Sequence, residues 1–174
     1  MKMQFTYNIF LIGFMGSGKS TVADYLCEKF DMDVVEMDQV IAERERMSIS
    51  DIFEKHGELY FRDLETKLLV ELQEKTNTVV SCGGGVAMRE YNVTEMKKNG
   101  KVVLLTAKPE TILERVENNH DRPLLENNKT VAYIAELMEK RREKYEAAAD
   151  MIIETDGKSA QKICEEMIQR LGEQ

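Results

Sequence analysis

The sequence predicts an α/β fold in which parallel strands form a sheet with helices on both faces. Two observations predict it. Short apolar, β-rich runs alternate with longer helical patterns along the chain, with no internal repeat, low-complexity tract or proline-rich linker. In addition, residues Gly13–Ser20 read G-x-x-x-x-G-K-S between the first apolar run and the first helical pattern, the strand–loop–helix setting a phosphate-binding loop requires. At 174 residues a single domain, 1–174, is expected, large enough to bury a core without disulfides.

The first strand, 8–12, is Asn8 followed by Ile9-Phe10-Leu11-Ile12, and the helix 19–30 behind the loop carries Val22, Ala23 and Leu26 at helical spacing. Glycines between them let backbone N–H groups converge on phosphate oxygens. The helix starting at Lys19 aims its positive end at the same anion. Lys19 would reach the β- and γ-phosphates and Ser20 would offer its hydroxyl to Mg²⁺. The chain is therefore expected to bind a nucleoside triphosphate.

The second strand, 33–36, runs into Glu36-Met37-Asp38 and a helix over 39–55. Its C-terminal end belongs to the edge where parallel sheets bind ligands. Two carboxylates there suit Mg²⁺ and a substrate hydroxyl, or Asp38 simply caps the helix; the residues alone leave both open. The helix 58–75 opens on Gly57-Glu58-x-x-Phe61-Arg62-x-x-Glu65, with a stripe of Phe61, Leu64, Leu68 and Leu72. Either Glu58 or Glu65 could hold the Arg62 guanidinium, in a cleft or as an ordinary surface pair.

The third strand, 78–82, ends at Ser81-Cys82-Gly83-Gly84-Gly85. Three glycines in a row make sense where a ligand approaches the backbone or N–H groups converge on it. A helix over 88–98 closes with Lys97-Lys98-Asn99-Gly100, cations in the last turn and glycine just past it. The fourth strand, 101–106, leads to a helix over 109–118 with Pro109 in its first turn. The polar stretch 117–129 breaks both periodicities; it is a lid or a surface excursion. Arg122 within it would reach the transferring phosphoryl group on closure, and Arg115 before it would stack on a base or sit in solvent. The helix 130–149 points Ile134, Met138, Arg141, Tyr145 and Ala148 inward, so Arg141 must meet an anion or snorkel out. The last strand, 151–154, and helix, 158–171, complete the chain.

The composition restricts the function classes. A net charge of −8 argues against nucleic acid as a partner, which needs a clustered basic footprint, but a few arginines in a cleft still focus positive potential on a small anion. Cys27, Cys82 and Cys164 have no metal-ligand spacing, which fits a reducing, cytoplasmic setting. No apolar run suits a signal peptide or a membrane span. His56 and His120 suggest no site, and the 11 methionines read as core filler.

Taken together, the Gly13–Ser20 loop, Asp38, the Gly57–Glu65 motif, Gly83–Gly85, Arg122-Pro123-Leu124-Leu125 and Arg141 four residues before Tyr145 resemble the shikimate kinase family over almost the whole chain. The resemblance implies a three-layer P-loop kinase fold, sheet order 2-3-1-4-5, a substrate-binding region at about 34–62 and a lid at about 117–130. It implies ATP-dependent phosphorylation of the shikimate 3-hydroxyl in aromatic amino acid biosynthesis, by a monomer. ATP would be held by Gly16, Ser17, Gly18, Lys19, Ser20 and Thr21, with Arg115, Arg122 and Lys158. Shikimate would be held by Asp38, Arg62, Gly83, Gly84, Gly85 and Arg141, with Lys19, Asp38 and Arg122 catalytic. Mg²⁺ would bind Ser20 directly, and Glu36 and Ser81 through water. Two positions depart from the family pattern: Glu36 stands where aspartate is usual, and Glu143 where proline is usual. A kinase for gluconate or a nucleoside monophosphate, or a nucleotide-binding module without transfer, are the alternative expectations.

Overall fold

The computed structural model describes residues 4–117 and 130–172. Five strands, β1 (Asn8–Ile12), β2 (Asp33–Glu36), β3 (Thr78–Ser81), β4 (Gly100–Thr106) and β5 (Met151–Glu154), form one parallel sheet in the order β2-β3-β1-β4-β5. The helices are α1 (Lys19–Phe30), α2 (Met37–Glu45), α3 (Ile49–Glu71), α4 (Glu90–Lys98), α5 (Pro109–Val116), α6 (Val131–Ala148) and α7 (Ala160–Gly172). This is the three-layer arrangement expected of a phosphate-binding-loop kinase.

The two-residue period of the strands divides the core. Ile9 and Leu11 of β1 pack with Val79, Val103, Leu105 and Ile153 under α1 and α7, whereas Phe10 and Ile12 pack with Val80, Val102 and Leu104 under the other helices. Central β1 is buried at every residue, which is why its sequence is a continuous apolar run rather than an alternating one.

The expected helix over 39–55 is in fact two. Arg46 adopts a left-handed conformation (φ 56°) that ends α2, and the Ser48 side chain accepts from the Asp51 N–H at 3.1 Å to start α3. α3 is interrupted at Gly57, whose backbone is non-helical (φ 87°, ψ 168°), so two helical stretches meet at a bend between the boundaries expected at 55 and 58. The bend brings Phe53 and Phe61 together as a tilted pair, ring centres 5.1 Å apart and ring planes at 50°. α4 ends at Lys98 with Lys97 and Lys98 in its last turn, as expected, and Gly100 just past it opens β4, where a side chain would collide with the Phe10 ring. α6 is continuous through Glu143. Most of the expected lid, with Arg122 and His120, lies outside the described residues. Among the described residues no helix is long and apolar enough to cross a membrane.

Candidate active site

The C-terminal ends of β1, β2 and β3 deliver the loop 13–18, Glu36 and Ser81 to one cleft of about 330 Å³. Gly13 (φ 145°) lies where a side chain would strike the Leu105 carbonyl, so the loop turns hard against β4. α1 starts after Gly18 with no side-chain cap and no acidic residue in its first turn, leaving its first N–H groups to an anion from outside. Lys19 is 8% exposed and its Nζ donates to the Gly13 and Phe14 carbonyls at 2.7 and 3.1 Å. It thus staples the curled loop. Arg115 donates to the Gly16 carbonyl at 2.9 Å and to Thr155 Oγ1 at 3.2 Å, bridging the loop to the segment after β5.

Beside the loop is a cluster of oxygen donors. Ser20 Oγ donates to Glu36 Oε2 at 3.0 Å, and Ser81, the register partner of Glu36, also hydrogen-bonds its carboxylate. Burial pushes the Glu36 carboxyl above its ordinary range, against the two serine hydrogen bonds that favour the charged form. Two hydroxyls and a half-buried carboxylate match the hard oxygen donors a small divalent cation takes alongside water and phosphate. Among the described residues no group of three or more His, Cys, Asp or Glu side chains is arranged to hold a metal ion.

The far end of the cleft gathers charge of both signs. Arg62 donates from Nη1 to Glu65 at 2.8 Å and from Nε and Nη2 to Glu58 at 3.2 and 3.1 Å, and lies over the rings of Phe61 and Phe53. Both carboxylates hold it, and it lines the cleft rather than the outer surface. Glu65 is fully buried. Burial pushes its carboxyl up to about 7, Arg62 opposing the rise and the nearby Asp38 charge adding to it. Asp38 sits within the first turn of α2, whose N-cap is Glu36, so the capping alternative falls away. Arg141 reaches the cleft from α6, its guanidinium 5.6 Å over the Phe14 ring and Nη1 3.4 Å from the Tyr145 hydroxyl.

The three glycines make room for these side chains. A methyl group on Gly83 would lie 2.7 Å from Glu65 Oε2 and 3.0 Å from Asp38 Oδ1; one on Gly84, 3.1 Å from Arg141 Nη1; one on Gly85, 2.5 Å from the Arg62 guanidinium. None of the three has a positive φ. The demand is for space, imposed by the protein's own charged groups rather than by a turn.

Of the residues singled out from sequence, Gly16, Gly18, Lys19, Ser20, Thr21, Glu36, Asp38, Arg62, Ser81, Gly83, Gly84, Gly85, Arg115 and Arg141 all line this cleft. Ser17 does not: it is fully buried and its N–H bonds the Phe14 carbonyl. Lys158 is also apart, its Nζ 3.0 Å from Glu166 on α7. Arg122 lies outside the described residues. Sequence reasoning missed Ile49 and Phe53 as cleft walls, since apolar residues at helical spacing read as core. It also missed the burial of Glu65, although four residues from Phe61 and three from Leu68 is an inward position.

The sequence pattern of a protein family described as Shikimate kinase matches residues 15–172. A shikimate kinase of Persephonella marina is 45% identical over 164 residues, 94% of this chain and 98% of its own. The solved shikimate kinase of Acinetobacter baumannii in complex with shikimate aligns with a TM-score of 0.90 at 33% identity, covering 95% of this chain and 92% of that one. A gluconokinase of Sinorhizobium meliloti aligns at a TM-score of 0.60 with 18% identity over 98% of this chain and 94% of that one, and shares the fold alone.

Proposed function

The chain belongs to the shikimate kinase family, and we propose on that ground that it transfers the γ-phosphoryl group of ATP to the 3-hydroxyl of shikimate. The products are shikimate 3-phosphate and ADP, a step in aromatic amino acid biosynthesis. The observation that carries the reading is that Arg62 and Arg141 lie against Gly85 and Gly84, in the cleft that also holds Lys19. Two guanidinium groups suit a small acceptor with a carboxylate, and the uncapped start of α1 suits the phosphates.

The chemistry is positioning and charge neutralisation. ATP is held by Gly16, Ser17, Gly18, Lys19, Ser20 and Thr21, with Ser17 contributing structure to the loop, and Arg115 flanks the base. Lys158 enters this role only by leaving Glu166. Lys19 exchanges the Gly13 and Phe14 carbonyls for phosphate oxygens, which costs little because both sets are acceptors at the same loop. Arg62, Arg141 and the Gly83–Gly85 backbone orient shikimate so that its hydroxyl faces Asp38, which accepts the proton as the oxygen attacks phosphorus in line. The bond from the γ-phosphorus to the bridging oxygen breaks and ADP carries away the electron pair. Arg122 adds positive charge to the transferred group. Mg²⁺ fits the oxygens of Ser20, Glu36 and Ser81 and, when bound, neutralises phosphate charge.

A monomeric cytoplasmic enzyme of one domain, with no nucleic acid or membrane partner, is the setting we propose. The reading is tested by ADP release from ATP and Mg²⁺ with and without shikimate. Shikimate-dependent release is expected. Preference for gluconate or a nucleoside monophosphate in the same assay would replace the acceptor, and nucleotide binding without release for any acceptor would mark a non-catalytic module.

A further inference from the structure

Arg62 and Arg141 are held by opposite means. Arg62 gives three hydrogen bonds to two carboxylates, so much of its charge is balanced before any ligand arrives. Arg141 forms no ion pair among the described residues; its guanidinium rests on the Phe14 ring and on the Tyr145 oxygen. A cation kept in place by neutral groups retains its full pull on an incoming anion, whereas a carboxylate in the same place would fix it and cancel it together.

We propose that the Tyr145 hydroxyl is a positioning group for Arg141, holding the guanidinium at the acceptor end of the cleft and tying it to the glycine turn. The geometry is a closed triangle. Tyr145 is 5% exposed and its hydroxyl donates to the Gly84 carbonyl at 2.5 Å. With the proton committed there, its lone pairs face the Arg141 Nη1 group at 3.4 Å. Gly84 closes the third side, since a methyl group on it would lie 3.1 Å from the same Nη1. The four-residue spacing on unbroken α6 sets Arg141 and Tyr145 on one face. Burial pushes the phenol above its usual range, Arg141 and Arg62 opposing, so the hydroxyl keeps its proton and remains a neutral support. Gly84 in turn lies against the phosphate loop, its added methyl 3.7 Å from the Met15 nitrogen and 3.8 Å from the Gly13 oxygen. Tyr145 therefore references the acceptor arginine to the loop that holds the phosphoryl donor.

The inference rests on Arg141 binding the acceptor, and one experiment separates the two. Shikimate affinity is measured by calorimetry, and KM for shikimate and ATP by ADP release, in Tyr145→Phe, Arg141→Ala and the double variant. Tyr145→Phe keeps the ring and removes only the hydroxyl. It is expected to weaken shikimate about tenfold with ATP changed less than about twofold, and to add less than about twofold once Arg141 is alanine, because coupled residues do not add. Unchanged shikimate affinity in Tyr145→Phe, an equal loss for ATP, or a loss that multiplies in the double variant would each overturn the positioning role. Arg141→Ala with full shikimate affinity would instead remove the acceptor reading of Arg141 itself. Calorimetry reports the result even where a variant no longer turns over.

Discussion

Gly85 and Arg62 are so close that a methyl group on the glycine would lie 2.5 Å from the guanidinium carbon. The arginine cannot simply swing aside, because Glu58 and Glu65 hold it from two directions. Gly85→Ala should therefore act mainly on the acceptor. A rise of about tenfold or more in KM for shikimate is expected, with a stability cost of about 1–2 kcal/mol from local overpacking, checked by steady-state kinetics and urea unfolding.

Glu65 makes stability depend on pH. Its folded carboxyl is pushed up to about 7 by burial, with Arg62 opposing, above its value of about 4.3 in an unfolded chain. Between those values the folded state binds more protons than the unfolded one, so this group's contribution is full at low pH and is lost as pH rises through about 7. Glu65→Gln should abolish that slope. Urea midpoints at pH 5, 6, 7 and 8 should show the native protein losing ground to the variant as pH rises; a parallel pair of curves would contradict it.

Lys19→Ala should leave a folded protein that does not transfer. The lysine donates to two carbonyls of its own loop and stands outside the apolar clusters that make up the core. A fall of at least about 10³-fold in kcat is expected from loss of a cation on the transferring group, read as ADP release beside an unchanged circular dichroism spectrum.

Glu36 tests how the oxygen cluster serves the cation. Glu36→Asp shortens the reach to Ser20 but keeps the carboxylate, so turnover should stay within about threefold and half-saturation by Mg²⁺ should be unchanged or lower. Glu36→Ala should raise that half-saturation by about tenfold. Both are measured by titrating Mg²⁺ at fixed ATP and shikimate.

The strands were legible to within a residue, because a buried parallel strand has to be a short apolar run and glycine or polar residues bound it. The break between α2 and α3 was hidden. Arg46 adopts a conformation usual for glycine, so composition shows no stop, although Ser48-Ile49-Ser50-Asp51 carries the serine-and-acid spacing of a capping box. In the cleft, the phosphate loop, Asp38 and the glycine run were visible as motifs, since each is a local pattern. The reason for the glycine run was not: it depends on Arg62, Glu65 and Arg141 arriving from two distant helices. Lys158 shows what local spacing hides, a cation near the loop whose ion-pair partner, Glu166, stands in the second turn of α7.

The bend in α3 has a stereochemical consequence. At Gly57 no atom lies within 4 Å of where a side chain would begin, so size excludes nothing there; handedness alone reserves the position. An L-alanine would carry backbone strain on the order of 1–3 kcal/mol. For a D-residue the same backbone is the mirror image of ordinary extended chain and is unstrained. D-alanine introduced by segment ligation should therefore stabilise the protein by about 0.4–1 kcal/mol, through lost freedom of the unfolded chain, while leaving Phe61, Arg62 and Glu65 aimed as they are. The direction in which α3 presents Arg62 and Glu65 turns on a single achiral residue standing in for a D-residue.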